Sequence, residues 1–147
     1  LFSYFNNSKE PFMNHIFNKI GFSTCLALAL PLGASAANAI QDGYRAAARQ
    51  ENPAFKDFSV DAGQKLYSTK TGELACASCH TDSPKAAGKH VKTNKEILPL
   101  APSANPRRFS DAANVEKWFK RNCNDVLKRA CTAQEKGDFM AYMLSVK

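Results

Sequence analysis

The chain has 147 residues, with 20 Lys and Arg against 13 Asp and Glu, a formal net charge of +7. That length has room for one domain and excludes a multidomain assembly. The basic residues are scattered rather than blocked, which describes a solvated surface, one that could also steer an acidic partner.

Residues 1–12 carry no recognisable pattern and read as upstream translated sequence. From Met13 a polar, weakly basic start (Asn14, His15, Asn18, Lys19) leads into an apolar run from Ile20 to Leu32, then into Ala34-Ser35-Ala36 and Ala37-Asn38-Ala39. This is the layout of a secretory signal peptide over 13–39, with cleavage after Ala36 or Ala39 and export to the periplasm as the expectation. The apolar run is too short to span a bilayer comfortably. An uncleaved amphipathic anchor is the alternative. The remaining domain, 40–147, keeps 18 of the Lys and Arg and 12 of the Asp and Glu, net +6. Export argues against nucleic acid as a partner.

Ile40 to Arg49 reads as a first short helix, ended at Gln50-Glu51-Asn52-Pro53 because the residue before a proline is pushed out of the α region. Ser59 is placed to cap a second helix, with Asp61 in its first turn, Val60, Gly63, Leu66 and Tyr67 at helical spacing, and an end near Thr71-Gly72. A glycine at position 63 costs about 1 kcal/mol against alanine in a helix, which points to close contact with a neighbouring helix or to a tolerated residue.

Cys76-Ala77-Ser78-Cys79-His80 follows, a C-x-x-C-H run that reads as a c-type haem attachment site. Both thiols would bond to the haem vinyl groups and His80 would ligate the iron. Structural zinc would want a second close ligand pair, which is missing, and a thioredoxin-type redox pair would want a preceding strand and a βαβ context. Beyond the motif, 81–106 contains Pro84, Pro99, Pro102 and Pro106 and reads as a long irregular segment wrapped on something large and apolar. Ile97, Leu98 and Leu100 are the expected lining. His90 is a possible axial ligand or a surface histidine.

Ser110-Asp111 opens a third helix carrying Val115, Trp118, Phe119, Val126 and Leu127, and Thr132-Ala133-Gln134-Glu135 fits a capping box opening the last helix, with Phe139, Tyr142, Met143 and Val146 on its apolar face. Met140 and Met143 could each serve as a sixth iron ligand but sit mid-helix and read as core. Without the leader four cysteines remain, because Cys25 lies in the apolar run. Two serve the haem, and Cys123 and Cys131 are expected to pair in an oxidising compartment, stabilising by on the order of 2–3 kcal/mol, or else to be buried free thiols. Stepping by three and four from Val115 through Trp118 places Asn122 on the buried stripe. A buried amide needs a partner, so Asn122 either hydrogen-bonds a haem propionate or backbone carbonyl, or ligates ferric iron as a weak, hard donor.

The runs GKHVKTNKEILPLAPSANPRRFSD and VEKWFKRNCNDV, with the helix after Cys131, resemble the sphaeroides haem protein (SHP) family of monohaem cytochromes c over nearly all of 40–147. The resemblance implies an all-α, class I cytochrome c-like fold around one covalent haem c, and ferric iron held by His80 and Asn122. It also implies a Cys123–Cys131 disulfide, and release of Asn122 on reduction so that oxygen or nitric oxide can bind. Trp118 and Phe119 would shape the distal wall. Electrons would come from a dihaem cytochrome c and a membrane cytochrome b, and nitric oxide dioxygenase or oxygen-reducing activity is possible. Asn94 departs from the family, where Gly is expected. The alternative is a plain electron carrier with a methionine sixth ligand.

Overall fold

The computed structural model describes residues 32–147, with side chains from 36 onward; most of the expected leader, and all of 1–12 and Cys25, lie outside the described residues. The elements in order are α1 (Leu32–Glu51), α2 (Val60–Ser68), the one-turn α3 (Ala77–His80), a two-residue pair β1 (Gly88–Lys89) and β2 (Glu96–Ile97), α4 (Ala112–Leu127) and α5 (Ala133–Ser145). The fold is helical, as expected.

Each of the three cap sites read from the sequence is formed. Ser59 Oγ accepts from Ala62 N at 3.1 Å, Asp111 Oδ1 from Asn114 N at 2.7 Å, and Thr132 and Glu135 close a reciprocal capping box. These residues satisfy backbone N–H groups that the first helical turn leaves without an internal partner. Helix α1 starts eight residues earlier than Ile40, because the alanine-rich stretch before it contains good helix formers and no breaker strong enough to stop it. It runs through both A-x-A sites. Helix α2 ends at Ser68 rather than near Gly72, which instead lies in a turn closed by Thr71 N to Leu74 O at 2.9 Å.

Helix α5 is the centre of the packing, with α2 and α1 against it. Met140 and Met143 are fully buried there, as the sequence reading had them, together with Tyr67. Gly63 lets α2 cross α5 at backbone distance: a Cβ on it would lie 2.0 Å from the Asp138 carbonyl oxygen. Gly137 gives the Phe58 ring its place, with a Cβ there 2.1 Å from the ring edge. Polar groups lock the same crossing. Asp138, only 5% exposed, accepts from Ser59 N at 2.7 Å, while Glu51 at the end of α1 accepts from Ala133 N at 3.0 Å and fastens α1 to α5. Burial raises the Asp138 carboxyl above its ordinary range even though the Ser59 N–H opposes it. Asp138→Ala strands that N–H and should cost about 1–3 kcal/mol, read as a lower denaturation midpoint at unchanged slope.

The segment 81–106 is not wholly irregular. Gly88 pairs with Ile97 and Lys89 with Glu96 in an antiparallel hairpin. Gly88 is the anchor, since a Cβ there would meet the Cys79 carbonyl oxygen at 2.1 Å and His80 Cα at 2.9 Å. Asn94 in the hairpin turn has φ +55°, a left-handed conformation that glycine takes freely and asparagine tolerates. The departure from the family pattern therefore falls where asparagine is a workable substitute.

Candidate haem-binding site

The C-x-x-C-H run folds as a single tight turn. The Cys76 carbonyl accepts from Cys79 N at 3.2 Å and from His80 N at 3.1 Å, while Ala75 N donates to Ser78 Oγ at 3.0 Å. Thr81, at φ +64°, turns the chain out of α3. The turn is fastened from outside by Tyr67 of α2, whose hydroxyl donates to the carbonyls of His80 at 3.1 Å and Thr81 at 2.5 Å. Five successive residues are thus held rigidly between α2 and the hairpin.

Cys76 and His80 stand on the wall of a cavity of about 710 Å³. Cofactor sites run from roughly 300 to 1,000 Å³ with mostly apolar linings. Ile97, Leu98, Leu100, Trp118 and Phe119, singled out from the sequence, all line it. So do Leu66, Phe109, Val115 and Phe139, which sequence reasoning missed. Leu66 and Phe139 lie on apolar faces that read simply as core. Phe109 adopts φ +59°, rare for a bulky residue, two residues before the cap of α4. Arg108 was also missed. Its Nε donates to Pro99 O at 2.8 Å and its Nη2 to Leu98 O at 2.7 Å, so it ties the 98–100 strap along the cavity rim.

The electrostatics suit ligation rather than thiol chemistry. Burial, with the Arg108 charge adding to it, pushes the His80 imidazole down to about 4, so at neutral pH it is in the neutral form that binds a metal. Burial pushes the Cys76 thiol up to about 11, with Cys79 adding to the rise. A thiol held protonated is a poor redox nucleophile. Among the described residues no three His, Cys, Asp or Glu side chains gather where they could hold an ion.

Asn122 is placed differently from the expectation. It is exposed, and the buried residue beside it is Cys123, 6% exposed and bonded to Cys131 with their Cα atoms 5.6 Å apart. Val115, Trp118, Asn122, Cys123 and Val126 of helix α4 all line the same cavity, Val115 and Cys123 being its buried members. The stripe drawn through Val115, Trp118 and Asn122 therefore does face the cavity, and what departs from the expectation is only that Asn122 is not buried. Trp118 too is 41% exposed, with Arg121 5.7 Å from its ring. His90 is half-buried on the cavity wall rather than a free surface residue, and its Nδ1 accepts from Lys92 N and Thr93 N at 3.3 Å each. Met140 and Met143 do not line the cavity.

A cavity of this size with both a half-buried thiol and a neutral imidazole at its wall fits a covalently held haem, and the molecule is a monohaem cytochrome of the c type. Two curated relatives bear on it: cytochrome c'' of Methylophilus methylotrophus, 42% identical over 107 residues covering 69% of this chain and 74% of that protein, and the cytochrome c-type protein SHP of Cereibacter sphaeroides, 46% identical over 106 residues covering 69% and 77%. The chain belongs to the family of SHP and cytochrome c''.

Residues 53–143 also match a family model described as a domain of unknown function, DUF1924. The crystal structure of oxidised cytochrome c'' superposes with a TM-score of 0.70 at 38% identity, covering 77% of this chain and 96% of that one. That of oxidised SHP, described as an oxygen-binding cytochrome c, gives 0.64 at 42% identity, covering 73% and 94%. A solution structure of cytochrome c'' concerned with haem-ligand detachment gives 0.68 at 38% identity, covering 76% and 94%.

Proposed function

We propose that this cytochrome, exported to the periplasm by its leader, uses Asn122 as a redox-gated ligand: His80 and Asn122 hold the iron when it is ferric, and Asn122 leaves when it is reduced. The haem supplies an iron that, once reduced and with a free position, takes a diatomic gas such as oxygen or nitric oxide. Cys76 and Cys79 carry the thioether bonds. Electrons come from partner cytochromes, a dihaem cytochrome c and a membrane cytochrome b. The observation that carries the reading is the position of Asn122 on the wall of the cavity that also holds His80, while both methionines of α5 lie elsewhere.

Three further points support it. A neutral amide is a hard, weak donor, better matched to ferric than to ferrous iron. The neighbouring amide of Asn105 is already committed to Pro99 O at 3.2 Å. Among the relatives, SHP is described as oxygen-binding, and haem-ligand detachment is described for cytochrome c''. Release of Asn122 needs no large movement of the fold, because the Cys123–Cys131 disulfide ties the end of α4 to the start of α5. A turnover that consumes nitric oxide with oxygen, or reduces oxygen, would use the same opened position.

Asn122→Val removes the donor atom at similar volume. The ferric absorption spectrum should change to that of a five-coordinate or water-bound haem, while the ferrous protein, wild type and variant alike, should take carbon monoxide readily. An unchanged ferric spectrum would remove Asn122 from the mechanism, and ferrous wild type that resists carbon monoxide would indicate a tightly held sixth ligand and a plain electron carrier.

A further inference from the structure

His90 is bound to its own turn at three points. Its N–H donates to Lys95 O at 2.9 Å, its carbonyl accepts from Asn94 N at 2.9 Å, and its Nδ1 accepts from Lys92 N and Thr93 N. A ring nitrogen that accepts carries no proton, so in the neutral imidazole the proton sits on Nε2. That nitrogen has no protein partner among the described residues. A ring fixed at one nitrogen with a free N–H at the other is a hydrogen-bond donor held in place.

The donor shares a wall with Asn122. A smaller cavity of about 330 Å³ adjoins the first, and the residues common to both are Cys76, His90, Arg121, Asn122 and Val126. Other donors around the larger cavity are engaged elsewhere. The Asn105 amide donates to Pro99 O, the Ser110 hydroxyl to Arg107 O, and Arg108 holds the 98–100 strap. Arg121, its side chain 60% exposed, lies over the Trp118 ring and 3.9 Å from Asp125.

We propose that His90 is a specificity-determining residue: its Nε2–H donates to dioxygen taken at the position that Asn122 leaves, and so favours oxygen over carbon monoxide. This rests on the function proposed above and names the group that selects the gas. Hydrogen-bond donors beside a haem decide which diatomic it holds. Dioxygen accepts electron density from reduced iron and becomes a good acceptor, whereas carbon monoxide stays close to neutral. Hydrogen bonds to a charged acceptor are the stronger kind, so the donor acts mainly on oxygen.

The test uses haem-loaded full-length protein in its ferrous form. Oxygen release is timed in stopped flow by displacement with carbon monoxide, and carbon monoxide release by displacement with nitric oxide. Two substitutions divide the ring's two roles. In His90→Asn the side-chain oxygen still accepts from the turn, as asparagine does from the residue two positions on, but no N–H reaches as far as Nε2. His90→Gln keeps an N–H at that distance and gives up the turn acceptor. Loss of the donor in His90→Asn should speed oxygen release about tenfold or more, with carbon monoxide release close to the parent's. His90→Gln should keep both near the parent's. Equal changes for the two gases, no change for either, or fast oxygen release in His90→Gln alone would overturn the assignment. So would a gas-free spectrum altered by His90→Asn, which would make His90 an iron ligand. Failure of the Asn122 reading is seen separately and earlier, in the ferric spectrum of Asn122→Val and in a ferrous parent that takes neither gas; the latter would overturn this proposal with it.

Discussion

A chain with alanine at both Cys76 and Cys79 is expected to yield all its haem to acidified acetone, whereas the parent protein retains one haem per chain. Both side chains lie on cavity walls, and the Cys76 thiol is held in its protonated form by burial. Alanine keeps the small apolar character of each position, so the turn itself should persist. Its N–H groups are satisfied by the Cys76 and Ala75 carbonyls and its outer face by Tyr67. What changes is retention. With only His80 and apolar contact left, haem becomes a dissociable ligand.

Losing it should also cost the chain its cooperative unfolding. A cavity of about 710 Å³ is far larger than the one left by a buried Leu→Ala change, which alone costs about 3–5 kcal/mol. A companion variant, His80→Gly, separates the two roles of the motif: haem should stay covalently bound through both sulfurs while the ferrous spectrum loses its imidazole signature, and added imidazole should restore it. Haem lost to the solvent from His80→Gly, or retained by the double alanine variant, would contradict the assignment of thioether and ligand roles.

The parts of this molecule that could be read from its sequence are those whose cause is local. Ser59, Asp111 and Thr132 were recognisable as caps because a cap acts on N–H groups two or three residues away. The C-x-x-C-H spacing was recognisable because one turn of helix sets it. Gly63 left two readings, a close crossing or a tolerated glycine, because its cost in a helix is local but the contact that offsets it is not. The hairpin at 88–97 gave no such signal. Its two-residue strands have no alternation to detect, and it exists because Gly88 presses on Cys79 and His80, a contact between separate parts of the chain. The exposure of Asn122 was missed for a related reason. A periodic pattern puts Asn122 on the side of Val115 and Trp118, and all three do line the cavity, but it does not say how far each side chain is covered. Arg108 was passed over because a basic residue beside another reads as surface, whereas here its donors hold two carbonyls at the cavity rim.

Gly63→Ala should destabilise the haem-loaded protein by about 3 kcal/mol, the upper end of what overpacking in a core usually costs. Helix propensity alone argues the opposite sign, since alanine is favoured over glycine by about 1 kcal/mol inside a helix. Packing outweighs it here. The added Cβ would sit 2.0 Å from Asp138 O, 2.6 Å from its carbonyl carbon and 2.9 Å from Tyr142 Cβ. Two of those atoms are backbone of α5 and cannot rotate away, so the helices must separate. Separation weakens the Ser59 N–H to Asp138 bond and loosens the layer of Tyr67, Met140 and Met143, each at most 1% exposed. Gly43 supplies the control. It lies in α1 with nothing within 4 Å of the position its Cβ would take. Gly43→Ala should therefore follow propensity and stabilise by up to about 1 kcal/mol. Urea denaturation of the two variants should shift the midpoint in opposite directions. A common sign would mean that the α2–α5 crossing is not the tight contact that makes glycine necessary at position 63.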